Sequence, residues 1–401
     1  MSEQQQPPRR LTRKELLRRN KKIAKRRQQR LTVIVVALTA FMVYITGIYG
    51  ASLAYLGDFV SWGMVYAHFG DGFPARVENQ TYLQSEKMGS ALCVLDSDSL
   101  DFYSPTGATV YSYYHSMQKP VISTSSKRVV IYNANDTSLK IANAGNILFS
   151  KEMENDIIHA SLSANNYLAV TTKSQSFNGE VKVYDSRMNE KFTWMAAKSF
   201  PVQSFLSPKA QTLAVSSILT RDGKIMSDIY IIDAATGEER YVYQNESGVM
   251  LAAEFVSENR LMMFFADRAV ALDLSKDGVT EHAALQYYGG KELMSFDIKN
   301  SRVVMALGSY DEMYGCDIVI CDLSLGQQAV MNTNQHITDI EIIGQRIYSL
   351  GSDKVVQYTT EGAYLSETAV KNNVKNIVDY NGCLAVFGDS LEKIEKAPIK
   401  K

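Results

Sequence analysis

The sequence predicts an all-β, eight-bladed β-propeller, with seven blades as the alternative, preceded by a single N-terminal transmembrane helix. Three observations lead there. First, a short pattern recurs about eight times between Asp101 and Lys396: an apolar run, a polar turn that usually carries glycine, and a second apolar run. The residues that mark it are Tyr103, Ala142, Tyr184, Ile232, Leu272, Cys321, Tyr358 and Ile394, spaced 36 to 49 residues apart. A period near 40 built from short strands corresponds to one four-stranded blade per unit. Second, Leu31 to Leu56 contain no charged residue. Third, the charge is divided: residues 1–30 carry twelve Lys or Arg against two Glu, while the remainder carries thirty basic and forty-one acidic residues. One end should therefore attract polyanions and the other repel them.

Residues 1–30 read as a basic cytoplasmic tail. Dense positive charge before an apolar run places the N-terminus inside and the rest of the chain outside. Arg26, Arg27 and Arg30 are the basic residues nearest the bilayer and are expected at its interface, with the tail lying on anionic inner-leaflet lipid. No aromatic residue is interleaved for base stacking, so nucleic acid is not the expected partner. Residues 31–56 follow as the transmembrane segment. At about 1.5 Å per residue, a helix of this length crosses a hydrocarbon core of roughly 30 Å with room to tilt. A cleaved signal peptide ending near Ser52-Leu53-Ala54 is the rival, but the apolar run is about twice the usual signal length. Residues 57–72 form an aromatic juxtamembrane linker. Phe59, Trp62, Tyr66 and Phe69 recur at the spacing of one helical face. Such a stripe suits the membrane–water interface, a dock on the propeller, or a second copy, while Gly57, Gly63 and Gly70 weaken a helix there.

The propeller is placed at 73–401, extracytoplasmic by the same rule. Units can be written as four runs, for example VQSFLSP, QTLAVSSIL, SDIYIIDAATG and EERYVYQ, rich in Tyr, Val, Ile and Leu. The last unit supplies only three runs, whereas FPARVEN (73–79) is a spare strand upstream of the first unit. Pairing it as the outer strand of the last blade closes the ring with both chain ends and removes free edges. Asp185, Asp233, Asp273 and Asp322 end third runs and should accept turn N–H groups, with Gly237, Gly278 and Gly326 supplying positive φ. The four cysteines are expected as small buried residues; a Cys93–Cys383 bridge is geometrically conceivable.

The segment Asp233-Ala-Ala-Thr-Gly237-Glu-Glu-Arg-Tyr241 resembles the blade turn of quinoprotein-like propellers, with Tyr241 where that family docks a tryptophan. Only Trp62 and Trp194 exist in the chain, so the family's quinone chemistry does not carry over, and the Trp-Asp dipeptide of WD repeats is also absent. The whole layout, a basic N-terminus, one span, Phe-Pro, a first unit reading Met-Gly-Ser-Ala-Leu-Cys-Val-Leu-Asp and then propeller-like repeats, resembles an uncharacterised bacterial family, domain of unknown function 5711. That resemblance implies topology and an envelope location, with no activity attached.

No catalytic, cofactor or metal site is legible. The five histidines are at least forty residues apart, and no His-Glu-x-x-His, Cys-x-x-Cys, Gly-x-Ser-x-Gly or glycine-rich phosphate loop occurs. Candidate binding residues are the cluster Tyr111, Tyr113, Tyr114 and His115, which also reads as an aromatic outer strand and its turn. Asp311, Glu312 and Tyr314 form a second candidate in a long blade-6 loop. The expected function is a membrane-anchored binding module for an envelope protein or polymer. The alternatives are an envelope-carbohydrate enzyme with its site in the central channel, and a transmembrane sensor. Carboxylates converging in the channel would favour the enzyme.

Overall fold

In a computed structural model, the described residues are Ile34 and 53–398, apart from 78–80, 247, 276–277, 310–314, 372–373 and 388–389. The chain divides into two compact units, Met1–Tyr55 and Leu56–Lys401. The expected tail and nearly all of the expected span, with Arg26, Arg27 and Arg30, lie outside the described residues. Among the described residues, no helix is long and apolar enough to cross a membrane.

The second unit holds eight four-stranded antiparallel sheets. Seven follow the chain in simple order: residues 82–114, 120–152, 157–196, 200–244, 250–286, 292–332 and 339–369. The eighth is composite. Its three inner strands come from residues 374–393, and its outer strand is Ala75–Arg76, paired with Leu391 and Ser390. The spare N-terminal strand therefore does seal the ring.

Packing explains why the units read as they do. The second and third strands of a blade are covered on both faces by neighbouring blades, and Ala91–Asp96, Leu168–Thr172 and Gly179–Tyr184 are buried at every position. Two-sided burial selects continuous apolar runs instead of alternation. Outer strands such as Val279–Gln286 and Tyr364–Ala369 face solvent and carry polar residues. Eight apolar clusters occupy the eight gaps between sheets, each filled from both sides. The closing one joins Leu92, Val94 and Tyr103 of blade 1 to Val378, Tyr380, Val386 and Leu391 of blade 8, with Ala75 and Val77.

The acidic turn positions divide. Asp185, Asp233 and Asp322 accept backbone N–H groups within their turns, through Arg187 and Asn189, Ala235 and Thr236, and Ser324 and Gly326. Asp273 instead pairs with Arg260 at 2.6 Å and His282 at 2.9 Å. The expected positive φ occurs at Gly237 (77°) but not at Gly278 or Gly326; in the blade-6 turn Leu325 takes it, at 56°. Gly326 is needed for another reason, since a Cβ there would press on the Asp322 carboxylate at 3.1 Å. All four cysteines are free and buried, so the conceivable Cys93–Cys383 bridge does not form.

The linker is largely helical. Helix α1 (Leu53–Ala67) runs across residue 56 and makes most of the linker helical. Its glycines weaken it intrinsically, but its docked face compensates: Asp58, Ser61 and Val65 are buried, and Val65 joins the cluster between blades 1 and 2. Tertiary burial outweighs propensity in short helices.

Candidate functional site

Each blade's inner strand is a sheet edge lining the central channel, so its outward N–H and C=O groups need partners. The sequence supplies them from the neighbouring blade. Gln84 accepts from Ile122 N at 3.0 Å and Glu86 from Thr124 N at 2.9 Å. Asp297 accepts from Ile342 N at 2.6 Å, and Asp339 from Ile377 N at 3.0 Å. Asn376 meets the Tyr82 hydroxyl at 2.8 Å across the closing seam. On the other side, Ser161 donates to Ser204 O at 2.6 Å, and His159 Nδ1 accepts from Ser204 N at 3.3 Å.

At one mouth of the channel lies a cavity of about 490 Å³, with Glu86, Lys299, Asp339, Glu341, Asn376 and Asp379 in its wall. Lys299 is the hub. Its Nζ lies 2.6 Å from Glu341, 3.2 Å from Asp297 and 3.8 Å from Asp379. Lys87 also stands 3.8 Å from Asp379. Burial pushes the carboxyl of Glu86 up to about 7 and that of Asp339 up to about 6. Glu341 is raised too, first by burial and then by Asp297. Burial alone would lower Lys299, but Glu341, Asp297 and Asp379 outweigh it and hold its ammonium above the usual range. With more carboxyls than cations at the mouth, some retain protons near neutral pH. Among the described residues, no three His, Cys, Asp or Glu side chains converge as metal ligands would.

These shifts set a pH dependence. A carboxyl whose pKa is raised on folding leaves the native state holding more protons than the unfolded one, so stability falls as pH rises from about 4.5 through the folded pKa. Glu86 and Asp339 therefore weaken the fold between about pH 5 and 7. His159, lowered by burial to about 4, acts in the opposite sense between about 4 and 6.5. Glu86→Gln should flatten the decline in urea midpoint between pH 5 and 8; an unchanged slope would show that Glu86 does not titrate across that range.

The aromatic candidates divide between the core and the surface. Tyr111 and Tyr113 belong to the outer strand Thr109–Tyr114 of blade 1 and pack on the core cluster beneath. Tyr111 lies against Phe102, with ring centroids 6.0 Å apart, and the Tyr113 hydroxyl accepts from Lys140 at 2.5 Å. His115 is buried, with Nε2 donating to Asp96 O and Nδ1 accepting from Met117 N. Of the four, only Tyr114 is exposed, at 69%. Asp311, Glu312 and Tyr314 lie outside the described residues.

Comparison with known proteins agrees with this architecture. The family of unknown function (DUF5711) matches residues 75–395, from the closing strand to the end of blade 8. The chain belongs to that family. A search of curated proteins gives no match. Among solved structures, BamB from Moraxella catarrhalis is similar at a TM-score of 0.57 and 13% identity, covering 82% of this chain and 100% of its own. Sqt1 of Saccharomyces cerevisiae gives 0.61 and 8%, with 82% and 100% covered. The C-terminal WD40 domain of Sif2 gives 0.58 and 11%, with 81% and 100% covered. At these identities the likeness concerns the propeller fold alone.

Within this DUF5711 chain, the channel residues escaped the sequence reading although a signal was present. Acidic or amide residues alternate in the first run of several units: Gln84 and Glu86, Asp297 with Lys299, Asp339 and Glu341. A period of two in a run otherwise bound for burial marks a strand with one polar side. Asp58 and Arg128 had no such signal, because they meet across seventy residues.

Proposed function

We propose that this DUF5711 protein is a membrane-anchored binding module, whose extracytoplasmic propeller holds another protein or an envelope polymer. The carrying observation is how the polar channel side chains are used. Glu86, Asp297 and Asp339 bond to the backbone of the next blade, and Glu341 to Lys299, so the groups that resemble catalytic equipment serve to join blades. What remains for recognition is a rigid disc with loops on two faces. The uncharged run at 31–56 and the basic tail before it support anchoring, with the tail inside on anionic lipid. The longest hairpin, Thr212–Arg221 with Lys224–Asp233, turns at Asp222-Gly223 and exposes Ile225 at its tip. A photo-crosslinker placed at Lys224 in the full chain should yield one discrete adduct in cells. The absence of any adduct from loops on both faces would count against a binding role.

A second reading is favoured by the convergence of carboxyls with raised pKa values at the channel mouth: an enzyme acting on envelope carbohydrate. It predicts that Glu341→Gln abolishes hydrolysis of an envelope glycan by the purified protein while the fold persists. Failure of the unsubstituted protein to hydrolyse any such glycan removes it.

A further inference from the structure

Helix α1 has two faces with different fates. Asp58, Ser61 and Val65, three and four residues apart, are buried against the ring. Asp58 receives Arg128 Nε at 3.0 Å and Nη2 at 2.8 Å, while Arg128 Nη1 donates to Ser186 O at 2.6 Å. Asn143 Nδ2 completes the carboxylate's partners at 3.3 Å. Both charged side chains are almost wholly excluded from solvent. Below the helix, Gly70 N donates to Thr106 Oγ1 at 2.9 Å and Gly72 N to Thr106 O at 3.0 Å. The helix is thus joined to the ring by a buried ion pair and by hydrogen bonds from the residues that follow it.

The opposite face is left bare. Phe59, Val60, Trp62 and Tyr66 are each at least half exposed, and Phe69 just beyond the helix is 83% exposed. Trp62 stacks on Phe59 at 6.2 Å and meets Tyr66 edge-on at 5.0 Å, a continuous aromatic strip. A second copy is a poor occupant. The face of a 15-residue helix is about 22 Å long and 10 Å wide, well short of the roughly 800 Å² per partner of a stable interface. The chain itself indicates another occupant, since an uncharged apolar run of more than twenty residues leads directly into the helix, and Trp and Tyr concentrate at the bilayer interface.

The docking contacts also orient the disc. Arg128 lies in a turn joining the first and second strands of a blade, and Thr106, Asn143 and Ser186 lie in turns joining third and fourth strands. In an antiparallel blade these two kinds of turn lie on the same side. Resting on the membrane reading above, we infer that the aromatic strip of α1 seats in the lipid interface and that the Asp58–Arg128 key holds this turn-bearing face of the propeller toward the bilayer. The opposite face, with the Arg221–Lys224 hairpin tip, is then the one presented outward.

The test uses the full chain in vesicles of phosphatidylethanolamine and phosphatidylglycerol, with brominated lipids as quenchers and Trp62→Phe as the blank. Trp62 emission should fall at least twofold. Maleimide labelling of Lys127→Cys, on the inferred near face, should slow several-fold relative to detergent, while that of Lys224→Cys should not change. A vesicle-bound chain with unquenched Trp62, or with both cysteines reacting alike, overturns the seating and leaves the membrane reading intact. A chain that does not float with vesicles overturns both. Shielding of Trp62 that grows with protein concentration in detergent assigns the strip to a second copy and likewise overturns it.

Discussion

Arg128→Met should cost about 3–5 kcal/mol, the largest single-residue effect expected outside the apolar clusters, because it leaves the Asp58 carboxylate buried without its cation. Arg128 is the largest fully buried side chain of the described residues and ties three segments together: α1, its own turn in blade 2 and the Ser186 turn of blade 3. The loss should fall first on α1, whose attachment depends on the pair, so the chain between Phe69 and Asp71 should become protease-sensitive before the ring melts. Asp58→Leu combined with Arg128→Met should recover most of the loss, since an apolar pair of similar volume carries no desolvation penalty. Urea denaturation and timed proteolysis of the single and double variants measure both effects. Equal losses in the single and double variants would show that the ion pair itself is not what holds the helix.

Tyr380→Ala should cost a similar amount, about 3–5 kcal/mol, through the cavity it leaves at the seam where the ring closes. The ring of Tyr380 is buried in the cluster shared by blades 8 and 1, and its hydroxyl can donate to Ser90 O at 2.7 Å or Tyr103 O at 2.8 Å. Tyr380→Phe removes only the hydrogen bond and should cost about 1–2 kcal/mol. A loosened seam also frees strand edges for pairing between molecules, so the Ala variant should aggregate on heating where the Phe variant does not. Thermal melts with light scattering read both. Equal midpoints for the Ala variant and the parent would mean that the seam contributes little to holding the ring closed.

The two sites differ in how legible they were. The closing strand Ala75–Arg76 was readable because a count of runs left one blade a strand short and one strand spare. The buried cysteines were readable because nothing in their spacing suited another task. The aromatic cluster at 111–115 read correctly as an outer strand, yet which of its rings would be exposed depended on Lys140 and Phe102, neither of which is a close neighbour in the chain. The carboxyl mouth was missed because Glu86, Asp297, Asp339 and Glu341 are scattered over some 255 residues. Each looks like an ordinary polar residue of a strand until the ring brings the inner strands together. Helix α1 was obscured by its glycines, whose local cost is real but smaller than the gain from one docked face.

By itself, the sequence determined the repeating four-strand unit, the order of the blades, the strand that seals them and the division of charge along the chain. All of these follow from periodicity and composition, which act locally and are written in consecutive residues. Tertiary structure alone decided that Arg128 would bury itself against Asp58, that α1 would dock by one face and bare the other, and that carboxyls from three blades would share one lysine. Those outcomes depend on which distant side chains are forced to exchange water for each other, and that choice exists only once the ring has closed.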